Sequence, residues 1–360
     1  MALQDTVKER QADEVARIDG APYRHEKIRS LVTGGSGFIG QHLVAALRSR
    51  GDSVRILDVH RPPDHAAAEF VEGSILDRDT ARHALQGIDR VYHLAGISHL
   101  WTSDRRDYRR VNSIGTEVML AAAIETGVCR FIHCSTEAIL LPPNGKASAD
   151  GEVRLTDMAG DYTRSKFLAE QAALAAAQDG LPITVVSPTA TIGPGDRNAT
   201  APTAMLSMFM RRPPPLVLDG LLNLVDVRDV AAGMLLADTR GRIGERYVLG
   251  GENIRVRELL ELMGRLLGRH HVSYALPKQV AFSVAVVAEW FANNVTHRHP
   301  VATAEGVRLA LRSAALDIRK ARSELGYAPR PIARSLPDAM SWIADLQDMP
   351  VSPPIQWADT

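Results

Sequence analysis

The segment IRSLVTGGSGFIG, residues 28–40, restricts the fold more than any other stretch of the chain. An apolar run ends in a cluster of four glycines. Phe38, Ile39, Leu43, Val44 and Leu47 then follow at helical spacing until Gly51. A strand that turns through glycines straight into a helix is a unit of a parallel sheet. The alternation continues with SVRILDV, AEFVEG, RVYHLAG, RFIHCST and ITVVSPT as strands, and with helices expected at about 112–126 and 161–178. Strands alternating with helices pair in parallel through right-handed crossovers. The expected fold class is therefore α/β, a doubly wound parallel sheet.

The glycine turn has a chemistry of its own. Gly34, Gly37 and Gly40 give GxxGxxG, and Gly35, Gly37 and Gly40 satisfy GxGxxG. One glycine permits the dihedrals of the turn, one lets a pyrophosphate approach the backbone, and one lets the helix pack tightly on the strand. The phosphates would lie at a helix N-terminus, where unpaired N–H groups favour negative charge. Asp58 ends the second strand, 18 residues past Gly40. A carboxylate there accepts bonds from ribose hydroxyls and repels a 2′-phosphate, which favours NAD over NADP. His60 and Arg61 follow at once, so NADP use stays open.

A second motif bears on catalysis. DYTRSKFLAEQ carries Tyr162 and Lys166 four residues apart, on one face of an expected helix. A phenol is a poor base at neutral pH. A neighbouring ammonium and a positive nicotinamide ring are expected to lower its pKa. HCSTEA places Ser135 and Thr136 at the carboxyl end of a strand, the side where open α/β sheets bind ligands. A hydroxyl there can hold a substrate oxygen against Tyr162.

Taken in order, TGGSGFIG, Asp58, HLAG, RVNSIGT, HCSTEA and YTRSK resemble an extended short-chain dehydrogenase/reductase of the NAD-dependent epimerase/dehydratase group. The resemblance covers about residues 28–345. SPTATIGPGD, LNLVDVRDVAAG, GERYVLGGEN and ARSELGYAPRPI are similar to the branch with dihydroflavonol-4-reductase-like, 3β-hydroxysteroid-dehydrogenase-like and hopanoid-associated sugar-epimerase-like proteins. It implies a Rossmann domain and a set of roles. Tyr162 would be the general acid/base. Lys166 would bind the nicotinamide ribose and tune Tyr162. Thr136 takes the family's Ser/Thr position beside Ser135, and Asn112 matches the family's asparagine. The dinucleotide would contact Gly34, Gly37, Phe38, Ile39, Gly40, Asp58, Ser74 and Ile75, then Leu94, Ala95 and Gly96 of HLAG on the adenosine side, with Tyr162 and Lys166 at the nicotinamide end. Pro188 and Thr189 would lie near the carboxamide. Substrate contacts would come from Trp101, Thr136 and Thr191. Helices at about 108–126 and 161–178 pair across a two-fold axis in relatives, so a homodimer is the family expectation.

Two departures from the family pattern stand out. Ser74, followed by Ile75, replaces the aspartate that relatives place on adenine. SPTATIG also lacks the asparagine that sugar-nucleotide enzymes carry after the sixth strand, the next being Asn198. The leading reading is an NAD(P)-dependent oxidoreductase acting on a secondary alcohol or ketone. The rivals are a sugar-nucleotide epimerase/dehydratase and a catalytically inactive dinucleotide sensor.

The remaining sequence sets the frame. A chain of 360 residues suits about two domains. Residues 1–26 read as an extension, 27–190 as the dinucleotide-binding domain completed by about 221–250, and 191–220 with 251–345 as a smaller, mostly helical substrate lobe before a tail at 346–360. Met205, Met208, Phe209 and Met210 are expected at the lobe interface or the pocket. Lys+Arg and Asp+Glu both number 42, which gives no electrostatic case for nucleic acid. The partner expected is a small-molecule substrate with apolar character. Cys129 and Cys134 read as unpaired thiols of a reducing compartment. The charged N-terminus has no signal-peptide pattern, and a cytoplasmic location is expected. No metal site is expected: CxxC is absent, and HRH at 297–299 has no acidic partner. VAFSVAVVAEWFA, residues 280–292, is broken by Glu289 and too short to span a bilayer. It suits a surface helix that touches lipid or covers an apolar substrate.

Overall fold

A computed structural model describes residues 27–62, 68–141, 143, 153–270, 272–298, 300, 302–312 and 314–347. The extension at 1–26, His299 and most of the tail lie outside the described residues. The chain runs through β1 (Arg29–Thr33), α1 (Phe38–Arg50), β2 (Ser53–Asp58), β3 (Glu69–Glu72), α2 (Arg78–Leu85) and β4 (Arg90–His93). A π-helical turn at Tyr108–Ile114 leads into α3 (Gly115–Thr126), followed by β5 (Arg130–Cys134), α4 (Asp161–Gln178), β6 (Ile183–Pro188) and β7 (Ala190–Ile192). Next come α5 (Ala201–Arg211), β8 (Leu216–Val217), β9 (Leu221–Asp226), α6 (Val227–Arg240) and β10 (Arg246–Leu249). The chain closes with β11 (Glu252–Arg255), α7 (Val256–Leu266), β12 (Tyr274–Ala275), α8 (Lys278–Phe291), α9 (Ala304–Leu311) and α10 (Ile332–Leu346).

Seven strands form one sheet in the order β3-β2-β1-β4-β5-β6-β10, and every pair is parallel. Strand order reverses between β1 and β4, so the crevice outside their carboxyl ends is the ligand position of a doubly wound sheet. Adjacent residues of β1 serve opposite faces. Val32 packs with Leu43, Leu47, Val230 and Met234 of α1 and α6, and Leu31 with Leu85, Met119 and Ala173 of α2, α3 and α4. Burial on both faces is why the strands read as unbroken apolar runs. Ala169, Ala173 and Ala176 line the buried side of α4 and let it lie close to the sheet.

Two details differ from the sequence reading. The helix expected from about residue 112 starts at Gly115, because Tyr108–Ile114 winds as a π-helix that a 3.6-residue period does not reveal. The region after β6 is less purely helical than expected. It carries a small sheet in the order β11-β9-β7 and the pair β12-β8. Ile192, Leu206, Phe209, Met210, Leu259 and Leu336 form a second core around that small sheet. Phe209 and Met210 are buried there, whereas Met208 is exposed. Cys134 is a buried thiol.

Candidate active site

The first loop of the sheet is built as a cradle. Gly34 has φ +72°, and a Cβ on it would come within 2.7 Å of the Ala95 nitrogen. A Cβ on Gly40 would meet the Gly34 carbonyl at 2.1 Å, whereas one on Gly37 would meet only that same oxygen at 3.2 Å. Gly37 caps α1 without a side-chain bond, and no acidic residue lies in the first turn of Phe38, Ile39 and Gly40. The positive end of the helix is thus left for an outside anion. Asp58 closes the loop: its Oδ2 accepts from the Ser36 N–H at 3.0 Å and its Oδ1 from the His60 N–H at 3.0 Å. Each oxygen keeps acceptor capacity for a ribose hydroxyl.

The loop after β4 lies against this cradle. The Leu94 N–H donates to the Thr33 carbonyl and the Ala95 N–H to Thr33 Oγ1. Asn112 is buried, and its amide is fully engaged. Its Oδ1 accepts from the Ile97 N–H at 2.7 Å, and its Nδ2 donates to the Ile97 carbonyl and to Ser165 Oγ at 2.9 Å. A Cβ on Gly96 would meet that Oδ1 at 2.8 Å. Asn112 therefore ties the loop to α4. Ser74 Oγ accepts from the Leu76 N–H at 3.2 Å as a turn device, and Ile75 is buried against Gly115.

Tyr162 and Lys166 project from the first turns of α4 toward the end of β5, and both are buried. Lys166 Nζ donates to the Cys134 carbonyl at 2.7 Å. The Tyr162 hydroxyl lies close to the Thr136 side chain, and its ring meets that of Tyr108 edge-on with centroids 6.1 Å apart. Ser135 Oγ is buried without a hydrogen-bond partner among the described residues. The expected fall in the phenol pKa is not what the chain alone produces. Burial pushes the Tyr162 pKa up, and Thr136 offsets this only in part. Lys166 is itself desolvated, which lowers its own pKa. A phenolate in this enclosed position has lost more hydration than its neighbours restore. Behind Lys166, His93 is pushed down to about 3 and His133 also falls, chiefly by burial and then by the ammonium. Both imidazoles are neutral, so Lys166 is the cation of this layer.

Three contributors were not singled out from sequence. Thr136 Oγ1 donates to Glu137 Oε2 at 3.0 Å, and burial pushes the Glu137 carboxyl up to about 7. Glu305, on α9, caps α4 from a distance, accepting from the Tyr162 N–H at 3.2 Å and from the Thr163 N–H and hydroxyl at 2.8 Å. Tyr108 walls the Tyr162 ring and donates to the His99 carbonyl at 2.8 Å. Adjacency to the Ser-Thr pair could have flagged Glu137, but nothing local could have flagged Glu305.

Glu137 yields a pH prediction. Its pKa is raised in the folded chain, so the fold holds this proton more tightly than the unfolded chain does. The resulting stability is complete below about pH 4.5 and is lost as pH rises through about 7. Urea unfolding across that window is expected to show Glu137→Gln removing about 3 kcal/mol of pH-dependent stability.

The other expected contacts come from the end of β6, which pairs with β5, and from the Trp101 loop. Pro188 ends β6, and Thr189 beyond it donates from its hydroxyl to Asn223 Oδ1 at 2.9 Å. Thr191 is buried in β7, its hydroxyl donating to the Thr189 carbonyl at 2.8 Å. Trp101 donates from Nε1 to Asn293 Oδ1 at 2.9 Å and, with Arg105, Asn293 and His297, lines a cleft of about 190 Å³. Arg105 reaches Asp161, beside Tyr162, at 3.5 Å. Among the described residues no cluster of three His, Cys, Asp or Glu could hold a metal ion.

Residues 30–250 match the family described as "NAD dependent epimerase/dehydratase family". The chain belongs to that family. Membership agrees with the motif resemblance and marks the chain as an enzyme with NAD as the family's cofactor. The chain is 30% identical over 323 residues to sterol demethylase protein B of Methylococcus capsulatus, covering 88% of this chain and 98% of that one. It is 33% identical over 317 residues to a 4-hydroxy-2-methyl-3-oxo-4-farnesyl-3,4-dihydroquinoline-1-oxide ketoreductase of Stigmatella aurantiaca, covering 84% and 92%. Among solved structures, MoeE5 in complex with UDP-glucuronic acid and NAD superposes with a TM-score of 0.71 at 25% identity, over 88% of this chain and 99% of that one. In this epimerase/dehydratase family member, the side-chain-free helix cap at Gly37, the open acceptors of Asp58 and the unpartnered Ser135 hydroxyl fit a dinucleotide and a substrate oxygen.

Proposed function

We propose that this chain is an NAD-dependent oxidoreductase that interconverts a secondary alcohol and a ketone on an apolar substrate, with Tyr162 as the acid/base. The observation that carries the reading is a buried phenol, kept protonated by burial, beside Thr136 and an unpartnered Ser135 hydroxyl. NAD, when bound, supplies the acceptor for the carbinol hydride, and its reduced form the donor. Gly34, Gly37 and the first turn of α1 would hold the pyrophosphate, Asp58 the adenosine ribose and Lys166 the nicotinamide ribose. In the reductive direction Tyr162 gives its proton to the ketone oxygen while Ser135 and Thr136 fix that oxygen. In the oxidative direction Tyr162 would take the alcohol proton as phenolate, a form that the Lys166 cation and the positive charge of bound NAD+ would have to favour against burial. Asn112 and Glu305 act by position, holding the loop after β4 and the start of α4. Relatives named for sterol and farnesyl chemistry support an apolar substrate.

A second reading, epimerisation of a nucleotide sugar, is favoured by the likeness to the UDP-glucuronic acid complex. Incubation with NAD+ and either apolar secondary alcohols or nucleotide sugars separates the readings by absorbance of reduced nicotinamide. Net cofactor reduction with an alcohol supports the oxidoreductase. Inversion of a sugar without net reduction overturns it in favour of the epimerase. Binding with neither reaction, unchanged in Tyr162→Phe, identifies a sensor. Cofactor choice is tested at Asp58: Asp58→Ser is expected to raise kcat/KM with NADP relative to NAD by about tenfold or more, as a repelling carboxylate is removed. The reading includes a homodimer through α3 and α4, supported by the exposed Ile124 of α3 and Leu168 of α4.

A further inference from the structure

The outer face of α8 is built the wrong way round for an ordinary surface helix. Such helices bury their large apolar side chains and expose polar ones. Here α8 turns only Ala281, Ala285 and Glu289 inward. Val280, Val284, Val287, Phe291 and Val295 make one exposed stripe, and Val286 and Trp290 a second beside it; Val287 is 66% and Trp290 60% exposed. Apolar patches of this extent mark surfaces that something covers.

Charge and area indicate what covers it. Glu289 is the single carboxylate between residues 272 and 298, and it is turned inward, paired with Arg105 and accepting from the Ala304 N–H at 2.8 Å. The charges left around the face are cationic: Lys278 and Arg298 are exposed, and the Arg308 guanidinium stacks over Phe282 at 5.2 Å. An apolar ridge with a tryptophan and a cationic rim complements an anionic lipid interface. A strip one helix wide and about 20 Å long falls short of the ~800 Å² per partner of a standard protein interface. No helix among the described residues is long and apolar enough to cross a membrane, so the face would lie on the surface. The end of this face joins the site loop, since Asn293 accepts from Trp101 and Glu289 pairs with Arg105.

We propose that the outer face of α8 docks the protein on an anionic phospholipid surface, placing the Trp101 loop beside the bilayer. This stands apart from the oxidoreductase reading, because docking requires neither cofactor nor turnover. The test is flotation of the full-length protein with vesicles of phosphatidylcholine alone or mixed with phosphatidylglycerol. Binding to the mixed vesicles is expected to be at least about tenfold stronger and to weaken with salt. Val284→Asp combined with Val287→Asp, and separately Trp290→Ala, are expected to lower vesicle affinity about tenfold or more with unchanged unfolding midpoint and NAD affinity. Absence of flotation with both vesicle types, equal binding to both, or wild-type flotation of the double variant would overturn the proposal. A dimer by sedimentation equilibrium that the double variant abolishes, without flotation, would assign the face to a second copy and likewise overturn it.

Discussion

Replacing Tyr162 by phenylalanine is expected to lower kcat about 10³-fold and to leave NAD affinity within about twofold. The substitution keeps the ring, and with it the edge-on contact with Tyr108 and the packing of the first turn of α4. What it removes is the hydroxyl proposed to exchange a proton with the substrate oxygen beside Ser135 and Thr136. Glu137 is the informative competitor. Its carboxyl is pushed up to about 7 and accepts the Thr136 proton, so it is the other group nearby able to exchange protons near neutral pH. If Tyr162→Phe retains more than about a tenth of wild-type kcat, the proton travels by another route and the assignment of Tyr162 fails.

The second large effect is expected at Gly40. Its added methyl in Gly40→Ala would lie 2.1 Å from the Gly34 carbonyl and 2.7 Å from Gly35 Cα, both backbone atoms that no rotamer change can move aside. Helix α1 must then back away from the turn, at a cost of about 3 kcal/mol or more, with loss of measurable NAD binding. Gly37→Ala makes the contrast. Its Cβ meets one atom at 3.2 Å, so the fold is expected to survive within about 1 kcal/mol. NAD affinity is still expected to fall, since the methyl occupies the approach to the helix N-terminus. Calorimetry and urea unfolding on the two variants separate a packing glycine from a ligand glycine. Equal stability of both would sink that division.

The fold was legible because its signals are local and repeated. Strands buried on both faces read as apolar runs, and Gly34 to Gly40 announce the first crossover. Helix α4 was expected at about 161–178 and spans Asp161–Gln178, because Asp161 starts it and its alanine stripe sets the period. Tyr162, Lys166, Ser135 and Thr136 were legible as types at a fixed spacing, and the structure brings all four to the end of β5. What escaped depends on distant partners or on solvation. The small sheet needs β7, β9 and β11 to meet from separate parts of the chain. The direction of the Tyr162 pKa depends on how deeply the phenol is enclosed, and spacing carries no measure of depth. Asn112 was readable as a site residue. That its amide is committed to Ile97 and Ser165 was not, because both partners lie at loop-dependent distances.

Helix α4 is capped by Gly160, which has no side chain to offer its first amides, and the carboxylate that serves the Tyr162 amide arrives from 143 positions downstream. Gly160 is itself shaped for that visitor, since a methyl there would strike Glu305 Oε2. The two halves of the chain are therefore not interchangeable parts. A chimera that borrowed a foreign C-terminal half would inherit an intact glycine turn but a loosened start to the helix that carries Tyr162, unless the graft brought an acid to the same spot.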